Sequence, residues 1–117
     1  DALEKFHIAY NPDLVLAPAL SAEEGSSVMG NFLEKNIPFD AVFGFTETAL
    51  IGAKSVIQKR GLRIPLDVSI CCVSGTTLCT LVHPTITAVE QPVEQMAIEA
   101  CRLLMQNIAG SDKPECF

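Results

Sequence analysis

The sequence predicts one α/β domain, a parallel sheet flanked by helices. Three observations support this. The chain has 117 residues and is 49% apolar, enough for one hydrophobic core. Short apolar runs of strand length alternate with longer stretches whose apolar residues recur at helical spacing. The connections are short, as in units whose parallel strands are joined by right-handed helical crossovers.

Residues 2–7 read as the end of a helix, as in a piece of a longer protein. Asn11-Pro12-Asp13 then turns the chain into a short extended run, Leu14-Val15-Leu16-Ala17. Ser21 and Glu24 have the spacing of a capping box, in which hydroxyl and carboxylate satisfy amides that the first helical turn leaves orphaned, so a helix starts there. Val28, Met29, Phe32 and Leu33 supply its apolar face, and Asn36 suits its stop. The next run, Asp40-Ala41-Val42-Phe43-Gly44, bounded by Pro38, has the unbroken apolar character of a strand buried on both faces. It leads into Thr46, a plausible N-cap, and a helix with Ala49, Leu50, Ala53, Val56 and Ile57 on one side. Gly61 ends that helix, because glycine adopts the left-handed conformation without a steric penalty, and Pro65 prevents its resumption.

A second buried strand follows, Val68-Ser69-Ile70-Cys71-Cys72-Val73. After a polar loop comes a β-rich stretch, Thr85-Ile86-Thr87-Ala88-Val89. Pro92 suits the first turn of a last helix, with Val93, Met96, Ala97, Ala100, Leu103, Leu104 and Ile108 along one stripe and Gly110 at its end. Residues 111–117 read as a tail.

Charge and motifs narrow the function. The net charge is −6 and the eight Lys and Arg are scattered, so these residues are not expected to grip a phosphate backbone. No apolar run is long enough to span a bilayer and the first residues carry no secretion signal, so a cytoplasmic location and no membrane partner are expected. Cys71, Cys72, Cys79, Cys101 and Cys116 form no C-x-x-C pair and read as reduced, small hydrophobes, with metal or redox use as the alternative. Cys71 and Cys72 should point to opposite faces of their strand. Ser74 lacks the glycines of a nucleophile elbow, His7 and His83 are far apart, Cys79 with His83 makes a poor zinc site, and no phosphate cradle is present. A small α/β enzyme is therefore the weakest reading, and no cofactor or metal is expected.

Four segments, in this order, resemble the LacI/GalR family of transcription regulators. They are Asp40-Ala41-Val42 running into a loop and a small-residue helix; Gly61-Leu62-Arg63-Ile64-Pro65-Leu66-Asp67-Val68-Ser69; Pro84-Thr85-Ile86-Thr87-Ala88-Val89-Glu90-Gln91-Pro92; and Ala100-Cys101-Arg102-Leu103-Leu104 leading to Gly110. The resemblance implies a Rossmann-like subdomain of a type I periplasmic-binding-protein-like fold, in which two α/β subdomains close on a small molecule. It implies that residues 1–110 form the C-terminal subdomain of an effector-binding domain, with the 92–110 helix crossing to an N-terminal subdomain. The apolar stripe from Val93 to Ile108 then needs cover from its own sheet or a second chain. DNA would be read by a separate helix-turn-helix domain. A homodimer is implied, with residues 49–59 and 76–82 as contributors. A periplasmic sugar-binding protein of a transporter shares this fold and is the alternative function.

In an open parallel sheet, ligands bind beyond the carboxyl ends of the strands. Phe43 at the end of one expected strand could stack on a sugar or base, while Thr46, Glu47 and Ser74 could hydrogen-bond to its hydroxyls. Simpler roles fit the same residues: Thr46 as a helix cap, Glu47 as a first-turn carboxylate, Phe43 as core and Ser74-Gly75 as a turn. Sugar-binding members of the family commonly carry asparagine-aspartate where this chain has Thr46-Glu47, and a second carboxylate where it has Ser74. No arginine stands near residues 16–19, where the family commonly supplies one. The effector expected is a small molecule of carbohydrate type, with a different or larger ligand as the alternative.

Overall fold

The structure, a computed structural model, describes residues 2–110. Its elements are α1 (Ala2–Lys5), α2 (Ala22–Glu34), β1 (Ala41–Thr46), α3 (Glu47–Lys59), β2 (Ser69–Gly75), α4 (Leu78–Leu81), β3 (Thr87–Glu90) and α5 (Val93–Ile108), with a 3-10 turn at Pro12–Leu14. The three strands lie in the order β1-β2-β3, and both pairings are parallel. The expected fold class is borne out. The tail expected at 111–117 lies outside the described residues, as does Cys116.

Local signals placed the helix ends. Ser21 Oγ accepts from Glu24 N at 3.2 Å, and Glu24 Oε2 accepts from Ser21 N at 3.2 Å and Leu20 N at 2.8 Å, which lowers the Glu24 pKa. Asn36 takes a left-handed φ of 52° after α2, and Gly61 a φ of 82° after α3. Within the turn to β2, Arg63 donates from Nε and Nη2 to the Asp67 carboxylate at 2.8 and 2.6 Å, and Arg63 N donates to it at 2.7 Å. These bonds push the Asp67 pKa down to about 2. The clamp gives the Arg63-Ile64-Pro65-Leu66-Asp67 segment a physical purpose, since it aims Ile64 and Val68, 8% and 2% exposed, into the core.

Helices α2 and α3 pack at backbone contact. A Cβ added to Gly25 would collide with Ala49 O, and one added to Gly52 with Ala22 O. Ser26 Oγ donates to Gly52 O at 3.1 Å and Thr48 Oγ1 to Leu20 O at 2.8 Å, fastening the same crossing. Beneath it lies a continuous core that includes Met29, Phe32, Leu50, Ile57, Val68, Ile70, Cys72 and Ile86. Phe39 meets Phe32 edge to face, with ring centroids 5.2 Å apart.

Two expectations are corrected. Strand β1 was expected to be buried on both faces, yet burial alternates along it and Phe43 and Phe45 are each 69% exposed. The physical reason is that, among the described residues, the helices packed on the sheet lie against its Val42, Ile70 and Cys72 side, and α5 buries none of its residues. The run Leu14-Val15-Leu16-Ala17 pairs with no described strand; Leu14 ends the 3-10 turn, and Leu16 packs against the core. With this face open, the radius of gyration is 18.4 Å, against about 13 Å for a compact domain of about 100 residues.

Candidate functional site

The parallel pairing of β1 and β2 runs from Ala41 opposite Ser69 to Thr46 opposite Ser74. Both strands therefore finish at one rim, where loops enter α3 and α4. Three of the four residues expected to bind a ligand, Thr46, Glu47 and Ser74, meet at this rim.

Thr46 occupies the N-cap position of α3, but its hydroxyl makes no capping bond. Its Oγ1 is buried and has no hydrogen-bond partner. A buried hydroxyl without a partner among the described residues is uncommon, because such a group forfeits its bonds to water. Ser74 lies opposite it. The pairing of β2 with β3 is irregular between Cys72 and Gly75, a bulge of the kind that re-aims side chains beside binding sites.

Glu47 opens α3 and is 8% exposed. Its Oε1 accepts from Thr76 Oγ1 at 2.6 Å, and its Oε2 accepts from Thr76 N at 2.6 Å and Cys79 Sγ at 3.4 Å. The Thr76 bonds hold the carboxyl below the usual carboxylate range, outweighing the opposing effect of burial. Both oxygens are thus engaged in tying the start of α3 to the β2–α4 loop. Burial pushes the Cys79 thiol up to about 12, assisted by its neighbours Cys72 and Glu47. Cys72 is 1% exposed while Cys71 on the other face is partly exposed, the opposition expected of adjacent strand residues.

Phe43 is set apart from this trio. It pairs with Cys71 on the uncovered face of the sheet and lines an apolar cleft of about 820 Å³ between residues 14–20, α2 and β1. Phe45, which sequence reasoning did not single out, lines the same cleft. Thr76, in the 74–77 exit that the sequence places at the rim, and Cys79 were not named as site residues. They are three apart, the spacing that puts side chains on one side of a helical turn, but nothing in the sequence names Glu47 as their common partner. Lys54 is a further surprise at 6% exposed; burial lowers its pKa, and Nζ donates to His83 O at 2.7 Å and Gln58 Oε1 at 3.3 Å, pinning the loop before β3 to α3. Among the described residues, no three His, Cys, Asp or Glu side chains are placed to hold a metal ion. None of the described helices is long and apolar enough to cross a membrane.

A three-strand parallel sheet with helices and a rim at its carboxyl edge defines a class, and comparison agrees: residues 6–116 match the periplasmic binding protein-like domain family, to which the chain belongs. Its relatives are transcription regulators. It is 29% identical over 112 residues to the HTH-type transcriptional regulator DegA of Bacillus subtilis, covering 96% of this chain and 33% of that protein. The structure of a transcriptional regulator CelR–cellobiose complex superposes with a TM-score of 0.88 at 29% identity, over 96% of this chain and 34% of that one. A sugar-binding regulator of the LacI family from Escherichia coli, complexed with phosphate, superposes with a TM-score of 0.85 at 25% identity, over 97% of this chain and 41% of that one. The resemblance read from the sequence is borne out, and the chain spans about a third of the length of the curated regulators it matches.

Proposed function

We propose that this chain is the ligand-sensing part of a LacI-type regulator, in which a small molecule seated at the β1–β2 rim controls operator binding by a helix-turn-helix domain outside these residues. Residues 1–110 would form the C-terminal subdomain, the 92–110 helix would cross to the N-terminal one, and 111–117 would be a tail. The protein would act in the cytoplasm as a binding protein, not an enzyme. The regulator names of its relatives favour this over the transporter-associated reading. Ligand energy would act through different affinities for open and closed subdomain arrangements, shifting the spacing of the DNA-reading heads.

The observation that carries the site is the buried, unpartnered Thr46 hydroxyl beside Ser74. A carbohydrate suits it, and the cellobiose in the CelR complex supports that class. With Glu47 engaged by Thr76 and Cys79, the hydroxyls of Thr46 and Ser74 would make the polar contacts from this subdomain. Glu47 would shape the rim, and Phe43 would offer an apolar face. Titration calorimetry of the intact regulator with cellobiose and related sugars tests this. Thr46→Val should weaken binding about tenfold, the loss of one hydrogen bond. It should leave the fold as stable or more so, because a methyl replaces a hydroxyl that has no partner in the free chain. Equal affinity in the two proteins would remove Thr46 from the site.

The regulator would be a homodimer, with residues 49–59 and 76–82 contributing. Leu78 and Leu81 within the second segment are 43% and 73% exposed, apolar area that a partner would cover. Sedimentation should give the mass of two chains, and Leu81→Glu should shift it toward one. A monomer at high concentration in the unaltered protein would refute the dimer.

A further inference from the structure

Beneath the rim lie two thiols that the ligand-sensing reading does not use. Cys72, near the end of β2, and Cys79, in α4, are 1% and 3% exposed, and their sulfurs stand 3.8 Å apart. Cys79 Sγ also donates to Glu47 Oε2 at 3.4 Å. Six residues separate the two cysteines, and among them are Ser74 and Thr76, the first a rim residue and the second the anchor of Glu47. Cys71 points to the other face of the sheet and cannot compete for either sulfur.

We propose that Cys72 and Cys79 form a reversible disulfide on exposure to a peroxide, a redox switch built under the ligand rim. A disulfide requires a sulfur–sulfur distance of about 2.0 Å, so the pair must close by about 1.8 Å from the observed 3.8 Å. α4 is a single turn whose Leu78, Thr80 and Leu81 are exposed, an element able to make so small a shift. In the first step, with α4 locally opened and the Cys79 thiol giving its proton to water, the sulfur attacks one peroxide oxygen and the O–O bond breaks. The departing hydroxide takes up that proton and leaves as water, giving the sulfenic acid. In the second, Cys72 sulfur attacks Cys79 sulfur, the S–O bond breaks, and the hydroxide departs as water with the Cys72 proton. Two thiols and one hydrogen peroxide become one disulfide and two waters. The sulfur is oxidised, the peroxide is reduced, and a thiol reductant reverses the change.

Both sulfurs are buried, so peroxide reaches them only when α4 opens locally, and the switch answers sustained oxidant more than a brief pulse. Oxidation also removes the Cys79 donor from Glu47 and shortens the loop that presents Ser74 and Thr76. Only this last consequence rests on the ligand-binding reading; the bond itself does not.

The test uses the whole chain with Cys71, Cys101 and Cys116 replaced by serine, held in excess hydrogen peroxide. The expected result is loss of the mass of two hydrogens, and a fall from two alkylatable thiols to none when the oxidised chain is then unfolded. Both must be restored by reductant and absent in the further Cys72→Ser variant. Tandem mass spectrometry of the unaltered chain, treated likewise, should place the bond between Cys72 and Cys79, which guards against a misfolded variant. Two thiols still alkylatable, added oxygen in place of lost hydrogen, or disulfides joining separate chains would each overturn the proposal.

Discussion

Gly52→Ala is expected to destabilise the domain by roughly 3 kcal/mol or more, a large share of the about 5–15 kcal/mol by which such domains are held. The reason is where the added methyl would fall. A Cβ at Gly52 would collide with Ala22 O, a backbone atom of the facing helix, and no rotamer change can relieve the clash. Relief requires α2 and α3 to separate, which opens the core around Met29, Leu50 and Ile57 and strains the Ser26–Gly52 and Thr48–Leu20 bonds. Gly30→Ala is the matched control. Its methyl would approach only Val56 Cγ1, at an ordinary 4.0 Å, and alanine in a helix interior gains about 0.5–1 kcal/mol over glycine. Urea unfolding of the two variants should therefore move in opposite directions from the parent. Similar midpoints would mean that the α2–α3 crossing is looser than described.

Glu47→Ala should destabilise the fold by about 2–3 kcal/mol, since it strips acceptors from Thr76 N, Thr76 Oγ1 and the buried Cys79 thiol. It should also release the β2–α4 loop, with faster amide exchange at Thr76 as the local signature. The pH dependence follows from the sign of the Glu47 shift. Its pKa in the fold lies below the ordinary value of 4.5, so the unfolded chain takes up the proton first. The carboxylate's contribution is therefore complete above that value and declines as pH falls through it toward the lower folded value. The stability gap between the parent and Glu47→Gln should be constant near neutrality and narrow below about pH 4.5. Asp67, held at about 2, is unaltered in both proteins and its effect cancels. A gap that stays constant down to pH 3 would place the stabilising carboxylate elsewhere.

What sequence reading could reach was set by distance along the chain. Ser21 with Glu24, Asn36 and Gly61 act within one helical turn, and each predicted an end that the structure has. The parallel direction of the strands followed from short connections, and with it the shared rim of Thr46 and Ser74. The bond set of Glu47 was hidden because its partners lie 29 and 32 residues away. Thr46 was ambiguous for another reason: a threonine that caps a helix and one that sits at the cap position without a capping bond look identical in sequence. Phe43 was expected either as core or at the ligand. It is exposed in a cleft and not in the core, because an apolar strand records a need for burial without saying whether these residues can meet it.

The lack of buried residues in α5 has a thermodynamic consequence. Its 16 residues are close to the length at which an isolated helix is only marginal in water, where nucleation is costly and each further hydrogen bond adds little. In the chain alone, its helicity should fade gradually on warming, while the α2–α3–sheet unit melts sharply. The calorimetric enthalpy would then disagree with the one inferred from circular dichroism, as happens when one polypeptide contains two regions that do not melt as a single cooperative unit.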